Sequence, residues 1–415
     1  MDRTTPPGET PTKPLKPARV ALNVLALCFA LSVLGRGLGE SFTVFLKPIS
    51  DNFGWDRAQV VSVYSLSWLT GGLTAPLVGR LFDRSGPRTV YALGLVLLGG
   101  AFLLASRAQS LWQFQITIGI CVGIGIALVG NVPNSILLVR WFGPRLPTAM
   151  AVVYSAMGAG VLLLLPASQL LIDHVGWREA YQWFGKSVLC LVVPLLLLPW
   201  RLFARGAPNI VQKAQAETID GGWTLGGAMR YHAFWALFST FFSPGGGMSP
   251  LAARGVAYVS AAGFPPLQAA TAWGFSGVVL TLGMVSVSTL DGIIGRRPSV
   301  LLSYAISIIG IFFLWLIQFF PNYWLLTAFV ICFGSMIGSR GPLITATALK
   351  IFQGKRVGTI FGTISIGSGL GSALGSWAGG LIHDYTHGYN VLMLFALVNV
   401  ILGMIPFLVV PALRR

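Results

Sequence analysis

The sequence predicts an all-α integral membrane protein, with twelve transmembrane helices in two pseudo-symmetric six-helix bundles. The chain has 415 residues, of which 54% are hydrophobic and only 10% are charged, whereas about a quarter of a soluble domain is charged. Its mean hydropathy is +0.75. Stretches such as VYALGLVLLGGAFLLA are continuously apolar, which is typical of membrane helices and not of the alternating strands of a membrane barrel.

Twelve apolar runs are long enough to cross the hydrocarbon layer, which takes about 20 residues. We predict spans one to twelve at residues 20–46, 59–81, 87–106, 111–140, 147–173, 181–203, 232–260, 268–290, 298–319, 323–350, 356–382 and 389–411. The longest polar break separates them into two groups of six. The predicted organisation is therefore a disordered cytoplasmic tail (1–19), an N-terminal bundle (20–203), a cytoplasmic linker (204–231), a C-terminal bundle (232–411) and a cytoplasmic tail (412–415).

The two halves resemble each other at a nearly constant displacement along the chain. RWFGPR at 140–145 matches KIFQGKR at 350–356, and LIDHVGW at 171–177 matches LIHDYTH at 381–387, both displaced by 210 residues. Asp83 matches Asp291 at a displacement of 208. A shared displacement indicates a six-helix unit that is duplicated in the same orientation, as in two-bundle secondary transporters.

The net charge of +16 would suggest a nucleic-acid partner in a soluble protein. Basic clusters with interleaved aromatic residues are absent, so we expect no nucleic acid. Of the 28 Lys and Arg residues, three lie within spans and 20 fall on the side of the termini and even-numbered loops. Five fall on the other side, namely Lys47, Arg57, Arg107, Arg178 and Lys186. This asymmetry predicts that both termini are cytoplasmic, in a bacterial-type inner membrane.

Three arginines lie in the middle of apolar spans: Arg36 in span one, Arg254 in span seven and Arg340 in span ten. Burying arginine in a bilayer is costly unless it meets an anion or lines a wet cavity. The same spans hold one clear carboxylate, Glu40. The excess of positive charge inside the membrane favours binding of an anionic solute.

Each of these residues allows two interpretations. Arg36 and Glu40 are four apart and share a helix face, so they form either an internal ion pair or a substrate and proton site. Burial favours a protonated carboxyl group, while a nearby arginine opposes protonation. Arg340, among small neighbours, offers a bidentate fork for a carboxylate, or it pairs with another helix. Arg254 guides solute in an outer vestibule, or it reaches to the interface.

Two further features lie at membrane depth. One is a segment of flexible backbone in span seven, and the other is a pair of polar side chains in span four. Span seven contains SPGGGMSP, which predicts a break or kink that either faces the substrate or serves only the rocking motion. Its members are Pro244, Gly245, Gly246, Gly247 and Pro250. In span four, Asn131 and Asn134 flank Pro133 and bond either the substrate or neighbouring helices.

The loop between spans two and three reads GRLFDRSGPR at 79–88, and a degenerate copy, TLDGIIGRR, stands at 289–297. This loop resembles the signature loop of the major facilitator superfamily, which implies the major facilitator fold. The resemblance assigns a gating and structural role to these residues: Gly79, Asp83, Arg84, Gly86, Arg88, Asp291, Gly295, Arg296 and Arg297.

A narrower resemblance points to the monocarboxylate-transporter and oxalate/formate-exchanger branch. SFTVFLKPISDNFGWDRAQ at 41–59, RWFGPRLPTAMAVVYSAMGAG at 140–160 and GWREAY at 176–181 are similar to that branch. The resemblance implies that spans one, four, seven and ten line the central cavity. The chain departs from the animal members, because Glu40 stands at the place of a lysine and span eight has no charge before Asp291.

From these features we expect a secondary transporter, not an enzyme, that moves a small organic anion, first of all a monocarboxylate. Alternating access with proton symport through Glu40 is the first hypothesis, because one co-transported proton cancels the opposing membrane potential. The alternative is exchange of organic anions, and a drug exporter or a non-transporting solute sensor ranks lower. The chain has no metal-ligand spacing of His or Cys. We expect no cofactor, a lipid bilayer as surroundings, and a monomer, as is usual in the superfamily.

Overall fold

The computed structural model describes residues 17–55, 57–208, 210, 223–336, 338–386 and 388–413. The predicted tail at 1–19, the linker at 204–231 and the tail at 412–415 therefore lie partly outside the described residues. Helical segments follow one another along the described chain at Pro17–Phe53, Arg57–Ala105, Leu111–Phe114, Gln115–Val122 (a π-helix), Gly123–Val129, Asn131–Phe142, Gly143–Arg145 (3₁₀), Leu146–Cys190, Val192–Leu197, Trp200–Arg205, Leu225–Arg230, His232–Ala261, Pro266–Ile294, Arg296–Leu316, Tyr323–Met336, Arg340–Ile351, Val357–Thr386, Asn390–Val409 and Pro411–Leu413 (3₁₀).

Eight stretches of the described chain are long and apolar enough to cross a membrane. Two of them are too long for one crossing: 62–105 and 111–197. The first turns at Gly86, and the second turns at Gly143–Arg145 and again at Gly176. The helix His232–Ala261 lies outside these eight, because serine, proline and glycine lower the hydropathy of its centre. The described chain thus provides a helical crossing for each of the twelve predicted spans, and spans four and ten cross as consecutive shorter helices.

Three glycines make the tight turns between antiparallel spans. Gly86, Gly176 and Gly295 have φ values of 75°, 80° and 85°, in the left-handed region that other residues rarely adopt. Gly86 and Gly295 occupy corresponding places in the two signature loops. The duplicated sequence therefore produces the same backbone turn twice, between spans two and three and between spans eight and nine.

Apolar side chains lie both inside the bundles and on their outer surface. In the N-terminal half, Tyr181 of span six stacks on Phe45 of span one, with ring centroids 4.1 Å apart, and on Phe102 of span three. On the outer surface Leu162 is 74% exposed and Leu197 is 80% exposed. Such an apolar surface is stable only against lipid, so the chain is a multi-pass membrane protein.

Spans two and eleven pack backbone to backbone and join the two halves. A Cβ atom added at Gly79 would overlap the carbonyl oxygen of Gly358, and one added at Gly72 would lie 3.4 Å from the Cα atom of Gly369. These contacts run from mid-span to the end of the molecule that holds the loop at residues 79–88, which is called the signature end below. The two halves are therefore closed against each other at the signature end.

Of the break or kink expected in span seven, the structure shows no break. The helix His232–Ala261 runs without interruption through both prolines. Its small residues instead permit close packing: a Cβ atom at Gly245 would lie 3.0 Å from the carbonyl oxygen of Ser368, and one at Gly247 would lie 2.9 Å from that of Ala396. Spans eleven and twelve fill the space that the missing side chains leave, so the helix remains continuous.

Candidate functional site

Arg36 and Glu40 each contact span two. The guanidinium carbon of Arg36 lies 4.8 Å from the ring centroid of Trp68, and the Tyr64 hydroxyl donates to Oε2 of Glu40 at 2.6 Å. Within the described part of the chain, no ion pair joins Arg36 to Glu40. The cation therefore rests on an aromatic face and the carboxylate on a phenol, so neither charge neutralises the other directly.

The register of the two antiparallel spans explains this arrangement. Arg36 and Glu40 are four apart on span one, and Tyr64 and Trp68 are four apart on span two, in reverse order. Residues four apart share a helix face, so the two pairs meet when the helices run antiparallel. Sequence reasoning missed Tyr64 and Trp68. Their matching spacing was visible, but the pairing of the two faces became apparent only in the fold.

A second contact near Arg36 joins the two bundles. The hydroxyl groups of Tyr154 in span five and Thr345 in span ten are 3.1 Å apart. A Cβ atom at Gly341 would lie 3.1 Å from Cε1 of Tyr154. Span five also packs on span one beside Arg36, since a Cβ atom added at Gly160 would lie 2.9 Å from the backbone nitrogen of Gly37. Spans one, two, five and ten therefore converge on one polar region between the bundles, and sequence reasoning did not identify Tyr154 or Thr345.

Arg340 is buried, with 3% of its surface exposed. Its Nη1 donates to the carbonyl oxygen of Ser303 at 3.1 Å and to Oγ of Ser307 at 2.8 Å. Its guanidinium carbon lies 4.2 Å from the ring centroid of Tyr304. Span nine therefore holds one edge of the guanidinium. The other edge differs, since Nη2 is buried and has no hydrogen-bond partner among the described residues.

Spans four and ten are interrupted at corresponding places in the two halves. Span four is broken at Gly130, and its second helix begins at Asn131; the second helix of span ten begins at Arg340. Asn131 and Arg340 are 209 residues apart, which matches the displacement of the sequence repeat. Paired interruptions in two repeats often mark a transport site. Asn131 is half-buried at the start of its helix.

Asn134 lies inside the N-terminal bundle and has no exposed surface. Its Oδ1 accepts from the Tyr91 hydroxyl at 2.7 Å, and its Nδ2 donates to Oγ of Ser32 at 2.8 Å and to the carbonyl oxygens of Val129 and Cys28. These bonds occupy the amide group fully. The geometry favours the interpretation that Asn134 holds spans one, three and four together.

Arg254 of span seven is half-buried. A Cβ atom at Gly380 would lie 3.8 Å from its Nη2, which puts Arg254 beside span eleven. Arg254 is therefore not one of the residues described above that contact Arg36 or Arg340.

Asp83 connects the first signature loop to the other bundle. Its Oδ1 accepts from the backbone N–H of Gly358 at 3.1 Å, and its Oδ2 accepts from the backbone N–H and the hydroxyl of Thr359 at 2.9 and 3.1 Å. Both residues lie in the first turn of the helix Val357–Thr386. A carboxylate at a helix N-terminus satisfies free amides and complements the helix dipole.

Asp291 of the second loop is bonded within its own half. Its Oδ2 lies 3.2 Å from Nη2 of Arg296, whose Nη1 donates to the Thr347 hydroxyl at 3.1 Å. Arg297 is half-buried, and its Nε has no hydrogen-bond partner in the part of the chain that the structure describes. Arg84 and Arg88 are exposed.

Among the described residues, no cluster of His, Cys, Asp or Glu could hold a metal ion.

The fold and this arrangement define a membrane transporter built from two helical bundles. The family model of the Major Facilitator Superfamily matches residues 25–362 and 290–415, and the chain therefore belongs to this superfamily. A solved structure of the proton:xylose symporter XylE is similar to the chain with a TM-score of 0.76 and 13% identity, over 95% of each chain. The predicted major facilitator fold is confirmed, and the protein is a transporter and not an enzyme.

Curated relatives narrow the comparison. An uncharacterized MFS-type transporter, YcxA of Bacillus subtilis, is 26% identical over 93% of this chain and 95% of its own. Monocarboxylate transporter 3 of Rattus norvegicus is 27% identical over 92% of this chain and 77% of its own. The oxalate:formate antiporter of Oxalobacter formigenes is 26% identical over 66% of this chain and 61% of its own. The resemblance to this branch is thereby confirmed.

Proposed function

We propose that this protein moves a small organic anion, first of all a monocarboxylate, across the membrane by alternating access in symport with a proton. The observation that carries the proposal is the separation of Arg36 from Glu40. Arg36 rests on Trp68 and Glu40 is bonded to Tyr64, so the guanidinium keeps donors for an incoming carboxylate. The names of the curated relatives, which include a monocarboxylate transporter and an oxalate:formate antiporter, support an anionic substrate.

Two further features favour an anion between the bundles. The helices that begin at Asn131 and Arg340 direct the positive ends of their dipoles into the membrane. The unpartnered Nη2 of Arg340 could bind a carboxylate oxygen. We therefore keep Arg36, Arg340 and Asn131 as substrate ligands, with Arg254 as a guide from outside this region.

Glu40 is the proposed proton site. Its carboxylate lies in a span and is bonded to one neutral hydroxyl, so protonation removes a charge without breaking an ion pair. A substrate anion on Arg36 and a proton on Glu40 would enter as a neutral pair. Such a pair crosses a negative-inside membrane without the cost of about 2.3 kcal/mol per charge per 100 mV.

The test is uptake of labelled mono- and dicarboxylates by proteoliposomes, with and without an inward proton gradient. We expect at least one monocarboxylate to accumulate, faster with the gradient. Arg36→Ala should raise the KM about tenfold or more, because one charge-assisted contact is lost. Arg340→Lys, which keeps the charge but loses the fork, should also raise the KM. Arg107→Ala, in an exposed loop, is the control of equal charge and should leave the KM unchanged.

Glu40→Gln separates coupling from binding. We expect it to abolish gradient-driven accumulation while counterflow between equal solute pools persists. Uptake of uncharged or cationic solutes in place of carboxylates would refute the anion proposal altogether.

The second candidate function is exchange of two organic anions. Three arginines and one clear carboxylate within the spans favour it, since a surplus of cations suits a dianion and exchange needs no titrating group. Unchanged uptake in Glu40→Gln, with a strict requirement for anion inside the vesicle, would establish exchange instead of symport.

The cellular setting belongs to the same proposal. We propose a bacterial inner membrane with both termini in the cytoplasm, on the distribution of Lys and Arg, and a monomer as the working unit. Reaction of single cysteines at Ser85 and at Gln109, a predicted outer-loop position, with an impermeant reagent tests the orientation. Only the cysteine at position 109 should react in intact cells.

A further inference from the structure

Two adjoining cavities lie where the start of span one meets the end of span six. The first has a volume of about 310 Å³ and the second about 420 Å³. They share three lining residues, Leu198, Pro199 and Leu202. The two cavities therefore form one continuous groove with two chemically different ends.

The first cavity is an apolar slot. Apart from one side chain, its walls are aliphatic or aromatic and include Val20, Ala26, Leu27 and Phe203. The exception is Asn23, which is exposed and offers an amide to a polar group beside an apolar chain. A slot of this kind in a membrane protein suits a hydrocarbon chain from the bilayer.

The second cavity is basic. Arg88, Arg201 and Arg205 line it together with Trp200. All three arginines are exposed, and none makes a hydrogen bond or an ion pair with another residue in the described ranges. Guanidinium groups bind phosphate through parallel N–H donors, so three unpaired guanidinium groups around one cavity suit an anionic phosphate.

The segment that lines both cavities is held in place by the rest of the N-terminal bundle. Nε1 of Trp141 donates to the carbonyl oxygen of Phe203 at 2.8 Å, and Nη1 of Arg140 donates to that of Ala204 at 3.1 Å. Nε1 of Trp200 donates to the carbonyl oxygen of Leu195 at 2.7 Å. The short helix Trp200–Arg205 is thus fixed before any ligand arrives, and its two arginines are presented to one side.

We propose that this groove is a binding site for an anionic phospholipid, with the headgroup phosphate on Arg88, Arg201 and Arg205 and one acyl chain in the slot beside Ala26. The charge of the basic cavity selects an anionic headgroup over a zwitterionic one. The slot selects a lipid over a soluble phosphate. Asn23 lies at the slot, where it can donate to an ester oxygen. The site is separate from the polar region around Arg36 and does not depend on the transported solute.

The test is native mass spectrometry of the delipidated full chain, titrated with phosphatidylglycerol or with phosphatidylcholine of the same acyl chains. We expect phosphatidylglycerol to bind at least about tenfold more tightly, since each arginine near an anionic surface contributes about fivefold. The combined variant Arg88→Gln, Arg201→Gln and Arg205→Gln should lose this preference. If that variant does not fold, Arg201→Gln alone should lower the preference about fivefold.

The matched control removes the same charge from the signature end without touching the groove. Arg145→Gln, Lys350→Gln and Arg356→Gln are exposed positions there, and together they should keep the preference. Ala26→Phe fills the slot with every arginine retained, and it should weaken phosphatidylglycerol binding as well.

Three outcomes would overturn the proposal. Equal losses in both triple variants would mean that the lipid senses only the overall charge. Equal binding of the two lipids to the parent would mean that no anion is selected. Displacement of the lipid by glycerol 3-phosphate at similar concentration would assign the cavity to a soluble phosphate.

Discussion

The two signature loops are alike in backbone and different in the partner of their carboxylate. Gly86 and Gly295 make the same left-handed turn, with φ values of 75° and 85°. Asp83, however, accepts three hydrogen bonds from the start of span eleven in the other bundle. Asp291 pairs with Arg296, five residues along its own chain.

The difference shows how a duplicated unit can divide two tasks. A local turn depends on one glycine, and the duplication kept that glycine in both halves. A contact between bundles depends on the partner helix, and among the described residues only the carboxylate of the first loop is hydrogen-bonded to a helix N-terminus of the other bundle. We infer that closure of the signature end depends on the first loop, while the second loop braces span eight against spans nine and ten.

The largest expected effect comes from Asp83→Ala. It leaves three donors of Gly358 and Thr359 without their acceptor, which costs about 3 kcal/mol, or about a 150-fold shift of the equilibrium toward opening at the signature end. Spin labels at Ser85→Cys and Lys355→Cys, in a background without native cysteines, report the distance between the bundles. Asp291→Ala is the matched control and should leave this distance distribution unchanged; a similar opening in both variants would contradict the division of tasks.

Gly79→Ala should have the next largest effect. Its Cβ atom would overlap the carbonyl oxygen of Gly358, and backbone atoms cannot move aside as a flexible side chain can. We expect about 2 kcal/mol of strain and about a thirtyfold shift toward opening, measured with the same label pair. Gly292→Ala, in the second loop, meets open space and should behave like the parent. An unchanged distance in Gly79→Ala would show that the spans can separate at no cost.

Arg296→Gln should have the smallest effect, confined to one half. It removes the ion pair to Asp291, and the Thr347 contact weakens, which together contribute about 1 kcal/mol for groups that are mostly but not fully buried. We expect a lower thermal midpoint in detergent and an unchanged distance between the labels. Arg230→Gln, at an exposed position, serves as the control. Opening of the signature end in Arg296→Gln would assign a gating role to the second loop too.

The sequence predicted the fold well, because each determinant of the fold is local. Continuous apolar runs require helices in a bilayer, and the turns between spans two and three and between eight and nine fall at the glycines of the recognised motifs. The backbone differs from the expectation in spans four and ten, whose interruptions were not predicted, and in span seven. There, the two prolines and three glycines of residues 244–250 predict a break when the helix is considered alone. Spans eleven and twelve pack into the small residues and keep the helix continuous.

The candidate site was predicted in part. Arg36, Glu40 and Arg340 stand out from the sequence, since the cost of charge in a membrane is a property of each residue. Their partners do not stand out, because Tyr64, Trp68, Tyr154 and Ser307 are ordinary residues of apolar spans. Asn134 is informative in the opposite sense: its polarity suggested substrate contact, whereas Tyr91 and Ser32 occupy its amide group.

The sequence by itself therefore determined the membrane class, the number of spans, the duplication and the charges that need an explanation. These follow from the composition and spacing of residues that are close along the chain. Only the tertiary structure decided that Arg36 and Glu40 contact span two instead of each other and that Asp83 reaches the other bundle. It also decided that Arg88, Arg201 and Arg205 surround one groove. Each of these depends on side chains brought together from distant segments, and the register of helix packing, which no single segment specifies, sets those distances.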